Sequence, residues 1–127
     1  MTKLHEIYKC SVCGNVVSVM VLGGGTLVCC GKEMDLQEEK TGEQEGNEKH
    51  VPVVSVESGQ VSVNVGSVDH PMEEDHYIVL IQLVKDGEVI AGKRLKPGDK
   101  PNATFCLDSI EGVKARIFCN LHGVWVN

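Results

Sequence analysis

The amino-acid sequence predicts an all-β protein, and three observations support this fold class. Aromatic residues make up only 4% of the chain, so the cores must be built from Val, Ile and Leu, a bias that favours sheet. Short apolar runs separated by turn residues recur from residue 51 onward, as expected for strands. Four cysteines lie within residues 1–37, a segment with too few apolar residues to fold on hydrophobic burial alone.

Composition and charge exclude several classes of function. The net charge is −6 and no basic stripe with aromatic residues occurs, so a nucleic-acid partner is not expected. No apolar run is long enough to span a membrane, and the N-terminus lacks the apolar segment of a signal peptide. We therefore expect no membrane partner and a cytoplasmic location, where six cysteines indicate metal binding before disulfides.

The first predicted module, residues 1–37, carries two cysteine pairs that could share one metal ion. Cys10 and Cys13 form a Cys-x2-Cys knuckle, whose turn brings two thiolates to one ion. Cys29 and Cys30 are adjacent, and on an extended backbone their side chains would point in opposite directions. Both can then reach one ion only in a distorted tetrahedron, and bound metal must supply much of the folding free energy.

Between the two cysteine pairs the sequence predicts a β-hairpin. Residues 15–22 are predicted as one strand, Gly23 to Gly25 as the turn, and residues 26–28 as the returning strand. A structural zinc site is the simplest interpretation of such a module, and iron is the alternative.

Residues 38–48 are predicted to be a linker and the domain boundary. They contain no apolar side chain, are acidic, and include two glycines without any periodicity.

The second predicted module, residues 49–127, consists of strands and turns. Lys85-Asp86-Gly87 is predicted as a tight hairpin turn between two of the strands. About seven short antiparallel strands predict a β-sandwich of immunoglobulin-like type, with no helix. The clearest of these strands are predicted at residues 51–57, 61–65, 77–84, 88–95, 103–107 and 113–118.

The second module holds a set of potential metal ligands that lie at predicted strand ends or in loops. One thiolate and several imidazoles suit iron, copper or zinc rather than magnesium or calcium. His5, ahead of the first knuckle, is predicted to be a surface residue, and Cys106 a buried and inert one. The candidate ligands are His50, His70, His76, Cys119 and His122.

Three motifs in this module, taken together with the cysteine spacing of the first, carry a family resemblance. They are Glu48-Lys49-His50-Val51-Pro52, His70-Pro71-Met72-x3-His76-Tyr77, and Cys119-Asn120-x-His122-Gly123-x-Trp125. The whole chain resembles desulfoferrodoxin, the two-iron class of superoxide reductases. Its first module resembles desulforedoxin, a small rubredoxin-like protein in which four cysteines bind one iron.

The resemblance implies two iron ions per chain. Cys10, Cys13, Cys29 and Cys30 would hold the first. His50, His70, His76 and His122 would be the equatorial ligands of the second, with Cys119 as its axial thiolate. Glu48 would correspond to the carboxylate that binds the open position of ferric iron, and Lys49 to the cation beside it.

The activity implied by the resemblance is the one-electron reduction of superoxide to hydrogen peroxide without release of oxygen. The expected partners are superoxide as substrate, an external electron donor such as rubredoxin, and a second copy of the chain in a homodimer. The alternative is a non-catalytic electron carrier of rubredoxin or blue-copper (cupredoxin) type, or a structural zinc protein. Blue-copper centres use two histidines and usually a methionine beyond the last one, whereas this chain ends Gly123-Val124-Trp125-Val126-Asn127.

Overall fold

The computed structural model describes residues 2–42 and 47–127, without the side chains of Asn47 and Glu48. The chain divides into two compact units, Met1–Glu38 and Glu39–Asn127. Among the described residues, no helical segment has the length and apolarity needed to traverse a bilayer.

The first unit contains two small antiparallel sheets. One has the strand order β2-β1-β5 and the other is the hairpin β3-β4. The strands are β1 (Ile7–Lys9), β2 (Val16–Ser18), β3 (Val28–Cys29), β4 (Lys32–Glu33) and β5 (Asp35–Leu36).

The hairpin predicted between residues 15–22 and 26–28 is wrong. Strand β2 pairs with β1, and β3 pairs with β4. The cysteine knuckle itself is the turn between β1 and β2, because the Gly14 N–H donates to the Cys10 carbonyl and the Cys10 N–H to the Asn15 carbonyl. Met20 and Val21 are 82% and 85% exposed, so their apolar character does not mark a strand that packs in a core.

The second unit is a sandwich of two β-sheets. Its strands and one helical turn are β6 (Glu39–Lys40), α1 (Asn47–His50), β7 (Pro52–Glu57), β8 (Gln60–Val65), β9 (Ile78–Lys85), β10 (Glu88–Arg94), β11 (Asn102–Cys106), β12 (Val113–Cys119) and β13 (Gly123–Val126). A five-stranded sheet has the order β10-β9-β12-β13-β6, and a three-stranded sheet the order β11-β8-β7. All pairs are antiparallel except β13 with β6.

The core of this unit lies between the two sheets. Val61, Val63 and Val65 of β8 are fully buried and pack in one cluster with Ile81 of β9 and Ile117 of β12. Their period-two spacing places alternate side chains on the inner face, as the sequence pattern predicts. The predicted all-β fold with a β-sandwich is confirmed.

Two predictions about the second unit differ from the structure. Glu39 and Lys40, assigned to the linker, form strand β6 and pair in parallel with β13. Asn47–His50 forms one helical turn where no helix was expected. Strand β6 is stabilised by pairing with a distant strand, and α1 is a single turn of four residues. Both lack the apolar periodicity on which sequence prediction depends.

Cys106 is exposed, so the prediction of a buried residue is wrong. It ends β11, where Ala103 is buried and Thr104 and Cys106 are exposed. Since successive side chains of a strand point to opposite faces, burial of Ala103 turns Cys106 outward.

Candidate metal centres

The second unit brings its five candidate ligands together. Each offers one ligand atom, and these atoms all lie within 4.8 Å of one another. One ligand ends α1, two lie in the connection between β8 and β9, one ends β12, and the last lies in the turn to β13. These residues are His50, His70, His76, Cys119 and His122.

The thiol of Cys119 is the most deeply buried of the five ligand groups. Cys119 is fully buried, and its Sγ lies 3.4 Å from Nε2 of His70 and 3.8 Å from Nδ1 of His122. The pairing of β12 with β9 shifts register between Phe118 and Cys119. Such a bulge re-aims a side chain at the end of a strand, here towards the histidines.

His70 is held as a neutral ring that points a lone pair at the thiol. Its Nδ1 lies 2.6 Å from the Pro71 carbonyl oxygen; because a carbonyl oxygen only accepts, Nδ1 carries the proton. Nε2, which faces Cys119, is then free to bind a metal ion. Burial lowers the pKa of His70 from 6.5 to about 4, so the ring is neutral at pH 7.

The four imidazole rings surround a common point. The centroid of His50 lies 4.7 Å from those of His70 and His122, and the centroid of His76 lies 4.7 and 4.9 Å from the same two. His50 and His76 are 6.5 Å apart, which matches the diagonal of a square with those sides. Neighbouring rings are close to perpendicular, with interplanar angles of 69–78°.

A metal ion fits this group on two grounds. Nε2 of His76 is buried and has no hydrogen-bond partner among the described residues, a cost that coordination would remove. Nε2 of His50 and Nδ1 of His122 approach to 3.0 Å, so nitrogen atoms converge there.

Four imidazoles and a thiolate exceed the four ligands typical of zinc and the two histidines of a blue-copper centre. Iron accommodates the set, and His122 is exposed, which places the centre at the surface.

The first unit brings its four cysteines together within the same limit of 4.8 Å. Sγ of Cys13 and Sγ of Cys29 are 3.6 Å apart, and Sγ of Cys29 and Sγ of Cys30 are 4.0 Å apart. The backbone N–H groups of Cys13 and Val12 donate to Sγ of Cys10 at 3.4 Å. These bonds lower the pKa of Cys10 from 9.0 to about 6. Hydrogen bonding to the Cys13 and Cys29 thiols raises the pKa of Cys30 to about 12.

The adjacent cysteines share one site because the backbone turns between them. Cys30 and Gly31 have φ angles of 54° and 72° and form the two-residue turn between β3 and β4, in which both positions need positive φ. The chain is therefore not extended at Cys30, and both side chains reach the same point. The extended backbone assumed for this pair in the sequence analysis is therefore wrong, and the strain lies in the left-handed backbone of Cys30, a residue with a Cβ.

Lys49 directly precedes the candidate ligand His50 in the chain. Lys49 is exposed in the last turn of α1, and His50 is buried. The side chain of Glu48 lies outside the described residues.

Asn120 contributes to this centre although sequence reasoning did not single it out. Its Oδ1 accepts the Tyr77 N–H at 2.9 Å and its Nδ2 donates to the Asp75 carbonyl at 3.0 Å. It therefore ties the segment that carries His76 to the turn that carries Cys119. In the sequence, this role is indicated by the position of Asn120 between the two ligands of one motif, Cys119 and His122.

Comparison with known proteins identifies sequence families for both parts of the chain. The family described as Desulfoferrodoxin matches residues 42–127, and the family described as Desulfoferrodoxin, N-terminal domain, matches residues 2–37.

Individual relatives agree with these matches. The chain is 54% identical over 125 residues to a desulfoferrodoxin homolog of Archaeoglobus fulgidus, covering 98% of each protein. It is 53% identical to the desulfoferrodoxin of Nitratidesulfovibrio vulgaris, covering 98% of this chain and 97% of that protein. The crystal structure of the superoxide reductase from Treponema pallidum superposes with a TM-score of 0.73 at 31% identity, covering 96% of this chain and 95% of that one.

Proposed function

The chain belongs to the desulfoferrodoxin family, and we propose the following account of how its residues act. The protein is a superoxide reductase, an oxidoreductase that converts superoxide, one electron and two protons into hydrogen peroxide without releasing oxygen. The observation that carries this function is the convergence of four imidazoles and one thiolate on a single point at the surface of the sandwich.

We propose that His50, His70, His76, His122 and Cys119 hold the catalytic iron. When bound there, iron supplies the electron and a Lewis-acidic position for a small anion. The neutral state of His70 supports ligation at pH 7, since a protonated ring has no lone pair to offer. The Cys119 thiolate would donate electron density to the bound iron, and its burial keeps water away from the sulfur.

Lys49 is proposed to attract the substrate. The protein carries a net charge of −6, which repels an anion, so an exposed ammonium group beside His50 raises the local concentration of superoxide. The same group can orient a water molecule as a proton source. Glu48 is proposed as a carboxylate that would bind the oxidised iron only after product has left, so turnover would not need it.

The first centre is proposed to act as an electron relay at most, because Cys10, Cys13, Cys29 and Cys30 belong to a separate unit.

The electron donor is external, such as rubredoxin. Reduced rubredoxin should re-reduce the oxidised second centre faster than turnover requires, and a slower transfer would exclude it as the donor. A reducing compartment such as the cytoplasm suits six cysteines that form no disulfide in the described part of the chain.

We propose that the chain forms a homodimer through its first unit. An open apolar cavity of about 520 Å³ there is lined by Val17, Met20, Val21, Leu27 and Val28 among others. Met20 and Val21 are more than four-fifths exposed, and a unit of this size has little core of its own. A second copy of the same face would cover these side chains.

Sedimentation of the iron-loaded protein tests the dimer. The wild-type chain should sediment as two copies, and Met20→Lys combined with Val21→Lys should yield one, because buried ammonium groups oppose association. Leu121→Lys, an exposed leucine of the second unit, serves as the matched control and should remain dimeric. A monomeric wild-type protein would refute the proposal.

Pulse radiolysis of the reduced protein tests the reaction. One hydrogen peroxide should form for each superoxide consumed, with no oxygen released. Oxygen release would indicate dismutation instead, and an unreactive reduced centre would indicate an electron carrier.

A further inference from the structure

The backbone carbonyl of the ligand His122 is held by two side chains. Nζ of Lys40 donates to this oxygen at 2.9 Å, and the indole Nε1–H of Trp125 donates to it at 3.1 Å. Both lone pairs of the carbonyl oxygen are thereby used. The main chain of His122 is therefore held by two hydrogen bonds, which limits the movement of its imidazole ring.

Trp125 also contacts a second ligand. Its indole stacks on the ring of His50, with centroids 4.7 Å apart and an interplanar angle of 16°. Trp125 is 2% exposed and belongs to the core cluster, so its ring plane is set by packing. It therefore fixes the plane of one imidazole and the main chain of another.

Lys40 reaches this position because strand β6 is anchored at both of its residues. Lys40 is directly opposite Trp125 in the parallel pairing of β6 with β13, and its Nζ lies 5.4 Å from the centroid of the indole, within cation–π range. Glu39 lies 3.9 Å from the buried guanidinium of Arg116, which itself donates to Gln82 of β9. The lysine is thus attached to the same sheet that carries Cys119.

We propose that Lys40 and Trp125 are positioning residues for the second centre, and that the ammonium group of Lys40 makes the reduced state of the bound iron more favourable. The proposal rests on iron at that centre, as the proposed function does. Partners that fix the orientation of metal ligands contribute to metal affinity. A fixed positive charge close to the centre favours the oxidation state with the lower total charge, which is ferrous iron.

Three variants separate this role from a general structural one. Lys40→Met keeps the length of the side chain and removes its charge and its N–H donors. Lys40→Arg keeps a positive charge and N–H donors on a longer side chain, which can also lie over the indole. Lys93→Met is the matched control, since Lys93 is an exposed lysine on β10 of the same sheet.

The measurements are iron affinity, the midpoint potential of the second centre followed by its own absorption band, and the emission of Trp125, the only tryptophan of the chain. Lys40→Met should weaken iron binding about tenfold, lower the midpoint potential and change the Trp125 emission of the metal-free protein. Lys40→Arg should restore all three to near wild-type values, and Lys93→Met should alter none of them.

Two results would overturn the proposal. One is equal iron affinity, potential and emission in Lys40→Met and Lys93→Met, and the other is a Lys40→Arg protein as impaired as Lys40→Met. If Lys40→Met does not fold, as judged by urea unfolding, Lys40→Gln replaces it in the potential measurement. These readouts need no superoxide, so failure of the reductase reaction in the wild-type protein would count against the proposed function alone.

Discussion

At the scale of single residues, Cys30 and Gly31 determine whether four thiols can meet. Both have positive φ, a conformation that costs a residue with a Cβ about 1–2 kcal/mol. Cys30 bears this cost, which metal coordination offsets, and Gly31 avoids it. A second residue with a Cβ in this turn would add strain without adding a ligand.

Gly31→Ala should therefore destabilise the first unit by about 1–2 kcal/mol, measured as the denaturant concentration at which its iron absorption is lost. A Cβ at Gly31 would meet no neighbouring atom within 4 Å, so the loss would come from backbone strain and not from a steric clash. Gly23→Ala is the matched control, because Gly23 also has open space around it but does not have a left-handed φ. Equal losses in the two variants would show that the turn is unstrained.

Lys49 is the residue whose charge should determine the rate of substrate capture. Lys49→Ile should slow the second-order reaction with superoxide several-fold and flatten its dependence on ionic strength, because electrostatic attraction is screened by salt. Pulse radiolysis at low and high salt measures both effects.

Glu48→Ala provides the neighbouring comparison for this prediction. It should retain turnover, since the carboxylate is proposed to act only after product leaves. An unchanged low-salt rate in Lys49→Ile would refute the attraction, and an inactive Glu48→Ala protein would refute the role given to the glutamate.

At the scale of elements, the second centre depends on one hairpin and one connection held against each other. The β12–β13 hairpin carries Cys119 and His122, and the connection between β8 and β9 carries His70 and His76. Asn120 joins the two through its side-chain bonds to the main chain of Tyr77 and Asp75. The Asn120 N–H also donates to the Tyr77 carbonyl, and we expect the side-chain bonds of Asn120 to add to this link in holding the ligands at their spacing.

Asn120→Ala should weaken metal binding at the second centre about 10-fold or more, measured by competition with a chelator. Asn127→Ala is the matched control, because Asn127 also bridges to the main chain, accepting the Ala115 N–H at 2.8 Å. Equal affinity in the two variants would mean that packing alone holds the hairpin and the connection together.

Sequence patterns predict elements well where a local rule decides the structure. Asp86 and Gly87 have φ angles of 51° and 77°, as a two-residue hairpin between β9 and β10 requires, and the alternation in β8 matches its burial. The partner predicted for strand β2 is wrong because the turn that precedes β2 is the cysteine knuckle, so β2 pairs with β1 and not with the segment after the glycine run. Strand β6 has no apolar residue and is held by pairing with a strand far along the chain, which no local pattern reveals.

The ligands of the second centre show the same division. The sequence motifs predict five ligands, and the structure brings all five together. They are His50, His70, His76, Cys119 and His122. Lys40 carried no local signal, because a lysine in an acidic segment is typical of a solvated linker. Its contact with His122 spans most of the second unit in sequence and depends on the parallel β6–β13 pairing.

At the scale of the whole molecule, the candidate ligands found among the described residues divide cleanly, with one group in each unit. The two centres should therefore be separable by mutation. Cys13→Ser should abolish the absorption of the first iron and leave superoxide reduction by the second largely intact, measured by spectroscopy and by pulse radiolysis on the same sample. Loss of both together would show that the first centre takes part in catalysis.

Whether the five residues bind one iron is tested by X-ray absorption at the iron edge of the Cys13→Ser protein, in which the second centre alone should retain iron. The ligand shell should contain four nitrogen neighbours and one sulfur neighbour, from the four histidines and Cys119. A shell without sulfur, or one of sulfur alone, would contradict the convergence of these five residues on one iron and with it the reductase.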